Sequence, residues 1–175
     1  MSERPNSETQ KQVTELLNRG AWLLQQGQVK EATALLERAY ELDTGSVPIL
    51  LNLGGAYILA GRHQDAIPLL EAALEAEPEN PMIWINLGAA HLGNPILATS
   101  EQQKQAIRAF EKSLELDPAA PSVHYNLGLI FVHRGDNDLA QAAFRHALRV
   151  NPQDRDARYW LNRLEAAEGN GGRDE

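Results

Sequence analysis

One interval organises this chain. Gly54 follows Gly20 by 34 residues, Gly61 follows Gly27 by 34, and Ala66 follows Ala32 by 34. Leu70 repeats Leu36 and Ala73 repeats Ala39 at the same interval, and Pro152 follows Pro118 by it. The run "LELDP" at 114–118 echoes "LEAEP" at 74–78. A period of this length means that one supersecondary unit is written several times over, each burying a face against its neighbours.

The apolar spacing inside a unit says what that unit is. Leu50, Leu53, Ala56 and Tyr57 fit one helical stripe, and Ala66, Leu69, Leu70, Ala73 and Leu74 fit a second. Gly61 lies between them, where a helix end favours a residue free to take positive φ. Pro78 stops the second helix because it has no N–H to donate to the preceding turn. Asn80 and Pro81 then read as the N-cap and first residue of the next helix. Each unit is a helical hairpin with one face too apolar for water, and stacking the units covers that face.

These residues resemble the tetratricopeptide repeat, a pattern of aromatic, Leu-Gly, Tyr, Gly, Ala, Phe, Ala and Pro. The third unit carries Trp84, Leu87, Gly88, Ala106, Phe110 and Pro118, and the fourth Leu127, Gly128, Gly135, Ala140, Phe144, Ala147 and Pro152. The resemblance implies an all-α fold, an α-solenoid of antiparallel helical hairpins forming a right-handed superhelix. Units are expected at 13–46, 47–80, 81–120 and 121–153, with a polar tail over 1–12. After Pro152, Ala157, Trp160, Leu161 and Leu164 make a stripe at i, i+3, i+4, i+7, while Arg155, Arg158 and Glu165 face water. This predicts a capping helix over 154–167 and a disordered tail over 168–175. Arg19, where later units have Leu53, Leu87 and Leu127, suits a first unit with nothing before it.

The third unit is six residues too long: Gly88 to Ala106 spans 18 positions where Gly54 to Ala66 spans 12. The extra residues lie near 93–100, with Gly93, Asn94 and Pro95 breaking the first helix and Ser100 with Gln103 at capping-box spacing. Ile96 and Leu97 are apolar at the tip. They are either part of a tolerated loop that packs back on the molecule or a contact for a partner.

Asn18, Asn52, Asn86 and Asn126 recur at one place on the first helix of each unit. An Asn inside a helix costs roughly 0.5 kcal/mol against Ala, so the column needs a reason. Either the amides bond locally, or they form a ladder in which each offers a donor and an acceptor to the main chain of a bound peptide. The family resemblance places the first helices on the concave side and implies a groove lined by Leu17, Ala21 and Leu24, then Leu51, Gly55 and Ile58. It continues with Met82, Ile85, Ala89 and Leu92, then Tyr125, Leu129 and Val132, with Tyr159 on the capping helix. Family members that hold a chaperone's acidic C-terminus use a clamp of Lys, Asn and Arg. Here those places hold Leu17 and Ala21, or Leu51 and Gly55, with Asn for the Arg, so no acidic C-terminal ligand is expected.

The remaining composition narrows the classes. A formal charge of −8 argues against nucleic acid as the main partner. With no Cys there is no disulfide, thiolate metal site or Cys nucleophile. The start "MSERPNSETQKQ" lacks an apolar signal region and no window has the apolar length of a membrane span, which predicts a cytoplasmic protein without membrane insertion. His63, His91, His124, His133 and His146 form no metal-ligating motif, and His91 reads as a satisfied core histidine. Neither a catalytic constellation nor a cofactor fingerprint is present. The expectation is a non-enzymatic adaptor or scaffold, monomeric or weakly self-associating, that binds a protein or peptide with apolar side chains. The alternative is an assembly protein that associates with itself through the groove or the insertion.

Overall fold

The computed structural model describes residues 7–120 and 122–171, without the side chains of 168–171. Among these residues there are nine helices and no strand. They are α1 (Ser7–Gln25), α2 (Val29–Leu42), α3 (Val47–Leu59), α4 (His63–Ala76), α5 (Pro81–Leu92), α6 (Ser100–Leu116), α7 (Val123–Arg134), α8 (Asn137–Val150) and α9 (Arg155–Gly171). The fold is an all-α solenoid of hairpins α1/α2, α3/α4, α5/α6 and α7/α8, closed by α9. Local chemistry sets the joints. Gly61 takes φ +75° after α3, and Gly27 and Gly135 do the same after α1 and α7. Asn80 Oδ1 accepts the Met82 N–H to cap α5, and the Trp84 indole donates to the Pro78 carbonyl at 2.8 Å, pinning the preceding loop.

Helices α3, α5 and α7 each bury two of their faces. One carries Ile49, Leu53 and Ala56 on α3, Ile83, Leu87 and Ala90 on α5, and Val123, Leu127 and Ile130 on α7, all buried. This face meets the preceding hairpin: Leu53 and Ala56 cluster with Leu36, Leu87 and Ala90 with Ala66 and Leu70, and Leu127 and Ile130 with Ala106 and Phe110. The second face is the glycine of each unit pressed on its own hairpin partner. A Cβ on Gly54 would lie 2.9 Å from Leu70, and one on Gly88 or Gly128 would lie 2.5 or 2.6 Å from Phe110 or Phe144. Both Phe rings are fully buried, and truncating such a ring to Ala costs about 3–5 kcal/mol.

The ends of the array differ from its middle at these same places. On α9 the stacking face reads Ala157, Leu161 and Leu164 and packs with Ala140 and Phe144. The Phe144 and Trp160 rings stack with centroids 6.3 Å apart. On α1 it reads Glu15, Arg19 and Trp22, and all three are exposed. Arg19 behaves as an end residue should, whereas the exposure of Trp22 was not foreseen. The direction of curvature follows from which helices approach each other. Helix α3 packs directly on α1 and on α5, while no two even-numbered helices pack together to that extent. The odd-numbered helices therefore line the inner side.

Three sequence expectations are corrected. Residues 7–12 are not tail: α1 begins at Ser7, because Glu, Gln and Lys favour helix, Glu8 lies in its first turn, and Val13 anchors it in the core. Only residues 1–6 of the expected tail lie outside the described residues. The last helix starts at Arg155, with Asp154 Oδ1 accepting the Asp156 and Ala157 N–H groups, and runs to Gly171. So 168–171 are helical, and 172–175 lie outside the described residues. The capping box of α6 is Thr99 with Gln102, one residue earlier than the Ser100–Gln103 expectation. Gln103 cannot serve because it is buried, donating to the Ala98 carbonyl and accepting from Arg134 Nε at 3.0 Å.

Candidate interaction face

The third face of the odd-numbered helices is left without a helix to cover it. It carries Thr14, Asn18, Ala21 and Gln25 on α1, and Pro48, Asn52, Gly55 and Leu59 on α3. On α5 and just beyond it carries Met82, Asn86, Ala89 and Gly93. On α7 and its N-cap it carries Ser122, Asn126, Leu129 and His133. On α3, α5 and α7 this face holds no Lys, Arg, Asp or Glu, in a chain that is 23% charged, while α1 adds Lys11 one turn before Thr14. Charge returns at the capping helix with Asp156 and Arg163. The acidic excess lies elsewhere, on faces such as that of Glu71, Glu75, Glu111 and Glu115, all exposed residues of α4 and α6.

The Asn column falls in register on this face. Asn18 is exposed and the other three are half-buried. Asn52 Nδ2 donates to the Pro48 carbonyl one turn back at 2.8 Å, which occupies one of its two N–H donors and leaves its oxygen available. Among the described residues, Asn18, Asn86 and Asn126 make no side-chain hydrogen bond. Local bonding thus accounts for one amide of the four. Leu17, Leu51, Gly55, Ile58, Tyr125 and Leu129 are half-buried beside the column, and Met82 and Tyr159 are 45% and 59% exposed. Ile85 does not line the open face. It is buried with Val123, Leu127 and Ile130 under the fourth hairpin, and Leu92 is buried with it.

The insertion of the third hairpin is an ordered projection. Asn94 Oδ1 accepts the Ile96 N–H, the Thr99 box closes the loop onto α6, and Gln103 ties it through Arg134 to the end of α7. Ile96 and Leu97 are 72% and 77% exposed, so they do not fold over the adjacent repeat. The loop walls a cleft of about 270 Å³ against the α3–α4 turn, lined by Arg62, His63, Asp65, Leu97, Ala98 and Gln102 among others. His63 lies against Gly93, with its Nδ1 buried and without a partner. Nearby, Arg62 caps the Tyr57 ring at 3.9 Å and bonds Glu37 and Asp65, joining the first two hairpins. Nothing in the repeat pattern announces this network.

Aromatic groups gather at the far end. Tyr125 and Tyr159 flank Trp160, and burial, followed by the nearby Asp156 and Asp154 carboxylates, raises the Tyr125 phenol above its ordinary range against an opposing hydrogen bond from Trp160. The His124 ring stacks on His146 at 5.0 Å; burial and then the His146 charge lower its pKa. His91 is half-buried rather than a core residue, and it makes no hydrogen bond among the described residues. Burial lowers its pKa against an opposing pull from Glu71. No group of three or more His, Asp or Glu among the described residues has metal-site geometry. None of the described helices is long and apolar enough to cross a membrane.

Family models decide what this stack is. Two models described as "Tetratricopeptide repeat" match residues 23–84 with 57–94 and residues 121–154, and one described as "TPR repeat" matches 96–133. The chain is a tetratricopeptide repeat protein. No curated protein sequence matches it. Its fold is similar to that of TTC0263, a thermophilic TPR protein of Thermus thermophilus. The TM-score is 0.76 at 22% identity, over 90% of this chain and 83% of that one. MamA from Desulfovibrio magneticus RS-1 is similar with a TM-score of 0.67 at 23% identity, over 82% and 77% of the two chains. Cut9, in the APC/C hetero-tetramer Cut9-Hcn1, is similar with a TM-score of 0.75 at 24% identity, over 85% of this chain but 29% of its own length. A TPR stack is in general a scaffold for protein–protein interaction.

Proposed function

We propose that this TPR protein is a cytoplasmic, non-catalytic adaptor that holds an extended, uncharged and apolar peptide segment of another protein along its inner face. Asn18, Asn52, Asn86 and Asn126 bond the peptide backbone, and Leu17, Leu51, Ile58, Met82, Tyr125, Leu129 and Tyr159 contact its side chains. The observation that carries this is the column of amides, three of them without an internal partner, on a face that holds no formal charge from α3 to α7. Burying an apolar side chain there contributes about 1.5–3 kcal/mol when complete, and each amide bond about 0.5–1.5 kcal/mol. Apolar contact drives binding and the ladder sets the peptide's path. With Leu17, Leu51, Ala21 and Gly55 where a carboxylate clamp needs cations and amides, an acidic C-terminus is not the ligand.

The test is selection of ten-residue peptides from a random displayed library, followed by fluorescence anisotropy on the resynthesised winners. Winners should lack Asp, Glu, Lys and Arg. A variant with all four Asn changed to Ala, matched to wild type by circular dichroism, should bind them about 30-fold more weakly or worse, from four bonds of this size. Equal binding by that variant, or winners ending in acidic residues, refutes the reading. The exposed Ile96–Leu97 tip favours a second reading, self-association through the insertion, which light scattering separates from the first.

A further inference from the structure

Gly55 is a helix-interior glycine that the fold itself does not require. The other glycines inside α1, α3, α5 and α7, namely Gly20, Gly54, Gly88 and Gly128, are held bare by a neighbour within 3.0 Å of any added Cβ. At Gly55 an added Cβ meets nothing within 4 Å. Its φ is helical, so no turn demands glycine either. Glycine inside a helix is less stable than alanine by roughly 0.5–1 kcal/mol, a cost set here against no internal gain.

The surroundings give the bare site a shape. On a helix the neighbours of residue 55 are those three and four away in each direction, namely Leu51, Asn52, Ile58 and Leu59. Three are apolar, and the fourth is the amide whose oxygen is unused. Leu59 is 63% exposed. With no side chain of its own at the centre, this is a socket of the kind that receives a side chain from a facing element. The same place holds Ala21 on α1, Ala89 on α5 and Leu129 on α7, so the socket is deepest on α3. Its lining also selects the occupant. A charged side chain seated here would lose its hydration with no counter-charge among Leu51, Asn52, Ile58 and Leu59 to replace it.

We infer that Gly55 is the specificity-determining floor of the inner face, a socket that receives one large uncharged side chain, Leu, Met, Phe or Trp, from the bound segment. This rests on the reading of the inner face as a peptide site. Glycine is kept because alanine would fill the space that the partner's side chain needs, so stability and binding should move in opposite directions.

The experiment uses the full chain and the strongest peptide from the selection described above, labelled with fluorescein. Gly55→Ala should raise the melting temperature by about 1–4 °C and weaken the peptide about tenfold, the scale of one overpacked methyl group. Gly55→Leu should abolish binding while remaining folded. Replacing the peptide's one dominant large residue by Ala should weaken its binding to wild type but not to Gly55→Ala. An unchanged or lower melting temperature for Gly55→Ala overturns the inference, because the glycine would then be structural. Undiminished peptide binding by Gly55→Ala also overturns it, and if the four-Asn variant still loses the peptide, the peptide-site reading survives that failure. A wild type that selects no uncharged peptide overturns both.

Discussion

Gly88 and Gly128 do the same job as Gly54 against different partners. In each hairpin the first helix lies close enough to the second that the glycine touches a buried side chain, Leu70 for Gly54 but Phe110 and Phe144 for the other two. All three side chains are fully buried, but the rings would lie closer to the added methyl group, at 2.5 and 2.6 Å against 2.9 Å, and so overlap it more. Gly88→Ala and Gly128→Ala should therefore each destabilise the protein by about 1–2 kcal/mol, the overpacking cost less the helix gain. Gly54→Ala should cost clearly less. Urea midpoints at constant slope measure the order, and a Gly54→Ala cost equal to the Gly88→Ala cost would refute the packing account. The recurrence of Gly, Leu and Phe made these contacts legible in sequence. Gly55 was legible only as a member of the inner lining, because whether space is empty depends on atoms from other turns.

The insertion shows where reading by element works and where it stops. Gly93, Asn94 and Pro95 end α5 as their chemistry requires, and the length of the excess was countable from the repeat. The cap was placed one residue late because both Thr99 and Ser100 offer a hydroxyl three residues before a Gln. What separates them is Gln103, whose amide is taken up by Ala98 and by Arg134, 31 residues away. No local pattern carries that contact. Since Ile96 and Leu97 touch no core cluster, changing both to Ser should leave stability within about 0.5 kcal/mol of wild type. Light scattering on the same pair of proteins reads their function. If wild type exceeds 19.3 kDa with rising concentration while the variant stays at it, the tip is a self-association element. Equal masses remove that reading.

At the scale of the molecule, one stacking rule is applied from end to end and then stopped. Leu53, Leu87 and Leu127 continue it, Glu15 and Arg19 end it at one side, and Arg158, Asn162 and Glu165 face outwards on the sealing helix at the other. The rule also sets how the molecule responds to acid. His91 on α5 and His124 on α7 are held below the ordinary imidazole value of 6.5, each chiefly by burial in the stack, and His124 also by His146 and Arg149 against the opposing Pro118 carbonyl. In the unfolded chain both titrate near that value, so below it the unfolded state binds more protons than the folded one. Their contribution to stability is complete above pH 6.5 and is lost as the pH falls through their lower folded values. Replacing both by Gln should flatten the fall in melting temperature as the pH drops below 6.5. A fall as steep as that of wild type would place the acid response elsewhere.

The sequence alone determined the period, the hairpin as the unit, the all-α solenoid, the sealing helix and the in-register amides, because each follows from spacing along one helix or between identical units. Tertiary structure alone decided the rest. Ile85 passes from the inner face to the core because the fourth hairpin closes over it, while Trp22 stays in water because none of the described helices packs on its side of α1. The helix at 7–12 depends on Val13 finding Ala39 and Ile49 across the stack, and the emptiness above Gly55 is a relation among four side chains on successive turns. Periodicity can be read from the chain because it is local. Exposure belongs to the neighbours, and only the stack supplies them.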